Sequence, residues 1–221
     1  QGNAYVALAK REVAGVVGVP SEFAGPSEVV VVADGTVPAD FVAVDLCAQA
    51  EHGPDGMAWL VTWDEKVANG VDEALSRVID WAPRSNVIVS ALSTGGRCVL
   101  VDDKEQALNV VNAIAPEHLQ LMVADSETMA ERVRNAGAVF CGPWSPASLG
   151  DYVVGPSHVL PTAGSARFSS ALTVKDFTKD IHIVTANSDA LRRLGPQVEA
   201  IAVAEGLDIH AESIRVRTQY G

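Results

Sequence analysis

The sequence predicts an α/β protein: an incomplete Rossmann-like, doubly wound parallel sheet followed by a helical C-terminal extension. Three observations lead there. Short continuous apolar runs alternate with longer amphipathic segments, the connections between them are short, and this alternation holds as far as Gly142. Strict strand–helix alternation implies parallel pairing through right-handed crossovers, with helices on both faces.

Each element has a local cause. The run 29–33 lies between Gly25-Pro26 and Asp34-Gly35 and reads as a buried strand. Segment 38–52 has helical spacing and opens on Pro38, whose missing N–H costs nothing in a first turn. A strand at 58–63 and a helix at 64–81 follow. The run 97–101 is a third strand, and Asp103 can cap a helix reaching about Ala113. A strand at 119–124 leads to Asp125 or Ser126, either of which can cap a helix ending near Gly137. The run 138–141 is the next strand. From Gly142 to Ser170 glycines and prolines alternate without periodicity, yet Trp144, Tyr152 and Leu160 are too apolar for a disordered tail. Such a stretch predicts an ordered loop over a site. Beyond it come a short strand at 181–184 holding a structural His182, a helix at 188–205, a Gly206 stop and a last helical turn with His210.

Composition narrows the class. The 221 residues carry 16 Lys plus Arg against 28 Asp plus Glu, a formal charge of −12. That balance argues against a bulk electrostatic grip on nucleic acid or anionic lipid. No apolar run approaches the roughly 18 residues of a membrane span, and Gln1-Gly2-Asn3-Ala4-Tyr5 does not open a signal peptide. Cys47, Cys98 and Cys141 are odd in number and far apart, which fits neither a disulfide framework nor a thiolate zinc site. A cytoplasmic location is expected.

Four groups of residues carry chemistry. Asp45, Gln49 and His52 stand at i, i+4 and i+7 on one helical stripe. An imidazole with an oxygen donor one turn earlier suits Zn²⁺; taken alone, the stripe is more simply a polar helix end meeting solvent. Glu117 and His118, just before a strand, suit a general acid–base pair or a loop cap. In the long loop, Asp151 and His158 are held among Gly and Pro turns and suit a metal, a substrate or turn chemistry alone. Glu205 and His210 flank Gly206 near the end of the chain. Gly2-Asn3-Ala4 can open a helix at a phosphate or ribose, although no G-x-G-x-x-G is present.

Together, and in this order, several fragments resemble the histidinol dehydrogenase family. They are Gly2-Asn3-Ala4-Tyr5-Val6, Ala24-Gly25-Pro26-Ser27-Glu28, Ala48-Gln49-Ala50-Glu51-His52, Pro116-Glu117-His118-Leu119, Ser148-Leu149-Gly150-Asp151-Tyr152 and His158-Val159-Leu160-Pro161-Thr162. The resemblance implies oxidation of L-histidinol to L-histidine through the aldehyde, the last step of histidine biosynthesis, with two NAD, a zinc ion and an intertwined homodimer. It implies metal ligands Gln49, His52 and Asp151, with His210 arriving across the dimer interface. It implies substrate contacts at Ser27, Gln49, His52, His118, Asp151, His158, Glu205 and His210, an acid–base pair of Glu117 and His118, and a cofactor contact at Asn3.

The family is about twice this length, so the chain corresponds to its C-terminal half. The implied division is 1–33 as the remnant of a first nucleotide-fold domain, 34–166 as a second Rossmann-like domain and 167–221 as a dimerisation segment. Without the first domain, strand 29–33 is expected to lie at an unpaired sheet edge, and the chain to bind metal with little NAD-dependent turnover. Two alternatives accompany this reading: an inactive zinc- and histidinol-binding fragment, and a relative that oxidises another polar alcohol such as a sulfonated diol.

Overall fold

The computed structural model describes residues 4–19 and 25–220. The expected cofactor contact Asn3 lies outside the described residues. The chain divides into two compact units, Gln1–Phe177 and Thr178–Gly221.

The first unit opens with α1 (Ala4–Val13) and β1 (Glu28–Ala33). Next come α2 (Ala39–Ala50), β2 (Met57–Thr62), α3 (Glu65–Trp81), α4 (Ser85–Gly95) and β3 (Gly96–Leu100). It continues through α5 (Lys104–Ile114), β4 (His118–Met122), α6 (Ser126–Ala130), β5 (Ala138–Cys141) and α7 (Ala147–Tyr152). All five strands are parallel in the order β3-β2-β1-β4-β5. This is the doubly wound pattern, in which the strand order reverses next to the first strand.

Strand β1 is therefore central, paired with β2 on one side and β4 on the other. Two expectations are corrected by this. The run 29–33 is not an unpaired edge, and it belongs to the same sheet as the elements assigned to 34–166. The reason is physical: Val29 to Val32 are buried on both faces, as a parallel strand under two helical layers must be. Alternate residues serve different layers. Val30, Val32, Leu119 and Leu121 pack against Leu108 and Val111 of α5, whereas Val29, Val31, Ala33 and Met122 pack against Val42 and Leu46 of α2. Each fully buried Val or Leu adds about 1.5–3 kcal/mol relative to exposure.

Caps account for several boundaries. The Asp64 carboxylate accepts the Lys66 N–H, and Asp103 accepts the Gln106 N–H. Helix α4 was not expected from the sequence. Its residues pack Ile88 and Ala91 against Ala43, Cys47 and Ala74 in a third apolar cluster. Helix α6 ends at Ala130, well short of Gly137. The loop after Gly142 is less irregular than expected, since it contains α7.

The second unit is a hairpin of α8 (Ser188–Ala204) and α9 (Asp208–Tyr220). Gly206, at φ 72°, makes the turn between them. Arg215 Nε donates to Glu199 Oε2 at 2.8 Å, joining the two helices. The expected strand at 181–184 does not form, and His182 is exposed rather than structural. An isolated β-branched run has no strand to pair with among the described residues, and propensity alone does not make a strand. The final segment is longer than one turn, with His210 in the first turn of a 13-residue helix. Among the described residues no helix is long and apolar enough to cross a membrane.

Candidate functional site

A cavity of about 310 Å³ opens where β1 and β4 begin, lined by Ser27, Gln49, His52, Glu117, His118, Asp151, Tyr152 and His158. A larger cleft of about 390 Å³, between α3, α4 and the β2–β3 edge, is lined mostly by aliphatic side chains and gathers no comparable polar set. The polar cavity sits at the amino ends of β1 and β4. Ligands in open α/β sheets ordinarily bind beyond the carboxyl ends.

Three pieces of chain meet there for traceable reasons. Helix α2 returns antiparallel to β1, so its last turn reaches the amino edge of the sheet and brings Gln49 and His52. Strand β4 starts at His118, and the strand period of two puts His118, Gln120 and Met122 on the face toward α2. Asp151 comes from α7, which lies on the Phe140 ring. A Cβ at Gly150 would stand 2.6 Å from Phe140 Cζ, so any larger residue there would push the ring aside. The Phe140 ring in turn stacks on His118, with centroids 6.0 Å apart.

His118 is fixed through one ring nitrogen. Nδ1 lies 3.0 Å from the Glu28 carbonyl oxygen. A carbonyl only accepts, so in the neutral ring Nδ1 carries the proton and Nε2 keeps a free lone pair. Nε2 has no hydrogen-bond partner among the described residues and stands 3.5 Å from Asp151 Oδ1. Burial disfavours the charged ring, but Glu117, the Glu28 carbonyl and Asp151 outweigh it and hold the His118 pKa above its ordinary 6.5. The native state then binds more protons than the unfolded chain between 6.5 and the raised value. The stabilisation is complete below 6.5 and is lost as pH rises through the native pKa. Urea midpoints of the metal-free protein from about pH 5.5 to about pH 8.5 are expected to show this decline, and His118→Asn is expected to flatten it.

Glu117 and Glu28 bind each other's backbone. Glu117 Oε2 accepts the Glu28 N–H at 2.9 Å, and Glu28 Oε2 accepts the Glu117 N–H at 3.4 Å. Glu28 Oε1 also accepts the Ala163 N–H at 2.7 Å, fastening the long loop over the start of β1. Burial raises the Glu28 pKa, partly offset by these N–H donors. The sequence reading missed Glu28 as a site residue, because a charged residue opening an all-valine strand has no local signature.

A second polar line runs along α2. Gln120 Nε2 donates to Asp45 Oδ2 at 2.7 Å. Gln120 Oε1 and Gln49 Nε2 are buried without a partner among the described residues. Each such orphan ordinarily costs about 1–3 kcal/mol. Burial raises the Asp45 pKa, and the Gln120 amide opposes the shift.

Of the expected site residues, Ser27, Gln49, His52, Glu117, His118, Asp151 and His158 are thus brought to one cavity. Glu205 and His210 belong to the second unit, where Glu205 is the C-cap of α8 and both are exposed. Among the described residues no three His, Cys, Asp or Glu side chains gather as a metal cluster. The cavity's polar lining is mixed instead: one amide, three imidazoles and two carboxylates besides the hydroxyls of Ser27 and Tyr152.

Residues 1–218 match the family model described as histidinol dehydrogenase. A histidinol dehydrogenase from Nitrobacter winogradskyi is 48% identical over 216 residues, covering 98% of this chain and 50% of that protein. One from Rhizobium meliloti is 46% identical over 220 residues, covering 100% of this chain and 50% of that protein. The crystal structure of histidinol dehydrogenase from Elizabethkingia anophelis superposes with a TM-score of 0.93 at 35% identity, over 100% of this chain and 51% of that one. The chain spans about half the length of the curated relatives it matches.

Proposed function

The chain belongs to the histidinol dehydrogenase family, and from that premise we propose that the cavity at the start of β1 and β4 binds zinc and L-histidinol for an NAD-dependent oxidation to L-histidine. The observation that carries the reading is the convergence of Gln49, His52, His118 and Asp151 on one cavity from three separate segments.

The donor set suits zinc. An amide oxygen, an imidazole nitrogen and a carboxylate oxygen are each acceptable ligands. Gln49, His52 and Asp151 would hold the ion, with the partner subunit's His210 completing the set. Bound zinc would supply a template and Lewis acid for the imidazole and amine nitrogens of the substrate.

His118 Nε2 takes the alcohol proton on the way to the aldehyde; bound NAD would supply the hydride acceptor for the carbinol carbon. The Nε2 lone pair already faces the cavity, because Nδ1 is committed to the Glu28 carbonyl. In the second oxidation water adds to the aldehyde. Glu117 removes a proton from that water, and His118 again removes the hydroxyl proton as the second hydride departs. Ser27 and His158 bind the polar end of the substrate. Asn3, the cofactor contact implied by the resemblance, lies outside the described residues. The test is an NADH count in a protein containing this chain. Two NADH per L-histidinol are expected, whereas zinc and histidinol binding without NADH would mean a binding module, and preference for a sulfonated diol a different alcohol.

A homodimer follows from the same reading. The α8–α9 hairpin leaves Leu194, Val198, Ile201, Leu207 and Ile209 exposed, more apolar surface than a two-helix unit can cover itself. A sedimentation-equilibrium mass of two chains is expected, and Ile201→Asp with Ile209→Asp is expected to reduce it to one.

A further inference from the structure

We propose that Asp45 and Gln120 are positioning residues that fix which end of the Gln49 amide faces the cavity; this rests on the zinc reading above. A glutamine can serve a cation only through its oxygen, yet nothing in an amide's shape decides whether oxygen or nitrogen points inward. Here the choice is imposed from behind. Ionised Asp45 is acceptor-only, so Gln120 must offer it Nε2, as the 2.7 Å hydrogen bond records. That turns Gln120 Oε1 the other way as a buried acceptor with no partner among the described residues. On α2, one turn beyond Asp45, Gln49 has the complementary orphan, a buried Nε2 donor. The two are not bonded to each other in the structure; a turn of the Gln49 side chain that joined them would satisfy both atoms and leave Gln49 Oε1 as the end that meets the metal. That closure would make a relay of a carboxylate, an amide and a second amide, each dictating the direction of the next, of which the structure shows the first link. Asp45 is the residue of the i, i+4, i+7 stripe to which the family resemblance assigns no role, and this gives it one.

The test measures zinc affinity by competition with a chromogenic chelator, together with the melting temperature of each metal-free protein. Asp45→Asn keeps the shape but can offer nitrogen or oxygen to Gln120, so the direction is no longer set. Affinity is expected to fall about 10- to 100-fold, the usual cost of losing an outer partner of a metal ligand, with the metal-free melting temperature little changed. Gln120→Met is expected to lose affinity to a similar degree and decides the matter should Asp45→Asn fail to fold. A background carrying Gln49→Glu separates orientation from simple packing. A carboxylate presents oxygen whichever way it turns, so there Asp45→Asn is expected to leave affinity unchanged or raise it. Equal losses from Asp45→Asn in both backgrounds would overturn the proposal, as would unchanged affinity in Asp45→Asn beside lost binding in His52→Ala, which leaves the zinc reading intact. A parent protein that binds no zinc overturns both.

Discussion

In a protein containing this chain, His118→Ala is expected to lower NADH formation from L-histidinol by about 10²- to 10⁴-fold, the range over which a positioned general base acts. Both oxidations are expected to suffer, since each removes a hydroxyl proton. Glu117→Gln is expected to act chiefly on the aldehyde step, because only that step consumes water. The structural basis is the different placement of neighbouring residues. His118 has one nitrogen locked to the Glu28 carbonyl and the other free toward the cavity, whereas the Glu117 carboxylate is tied to the Glu28 N–H. Comparing turnover from histidinol with turnover from the aldehyde checks the division of labour. Equal losses in both steps for Glu117→Gln would mean that the two residues act as one unit.

His52→Ala is expected to bring zinc content from one ion per chain to background in chelator-washed protein. His52 lies just beyond the last turn of α2, exposed and free to move toward an ion, while Gln49 is buried behind it. Removing His52 takes away the only nitrogen donor that this chain itself contributes to the proposed set, leaving Gln49, Asp151 and the partner subunit's His210. Elemental analysis of the purified variant beside the parent protein is the check. Equal zinc in both would remove His52 from the ligand set.

Much of the fold was legible in the sequence because its strands are continuous apolar runs between turn residues. All five lie within a residue or two of their expected positions, and Asp64 and Asp103 cap the helices that follow them. Strand order was not legible, since alternation fixes the direction of pairing but not the neighbour. That is why 29–33 reads as an edge and proves central. Helix α4 carries three valines and isoleucines in its first turns and so lacks a clear helical preference; packing against α2 and α3 decides it. The run 181–184 fails for the opposite reason, having strand preference without a partner.

In the site, seven of the residues that the family resemblance implies line one cavity. The supporting residues were less visible. Gln120 was within reach, because period two places it on the same face of β4 as His118. Glu28 was not, since its role depends on Ala163, distant in sequence.

The most direct measurement is a calorimetric titration of L-histidinol into zinc-loaded and chelator-treated protein. Binding of one histidinol per chain to the loaded form, with binding lost on chelation and in His52→Ala, is the expected result. Equal binding with and without zinc, or none in the loaded form, would contradict a metal-templated histidinol site in the cavity between α2, β4 and α7.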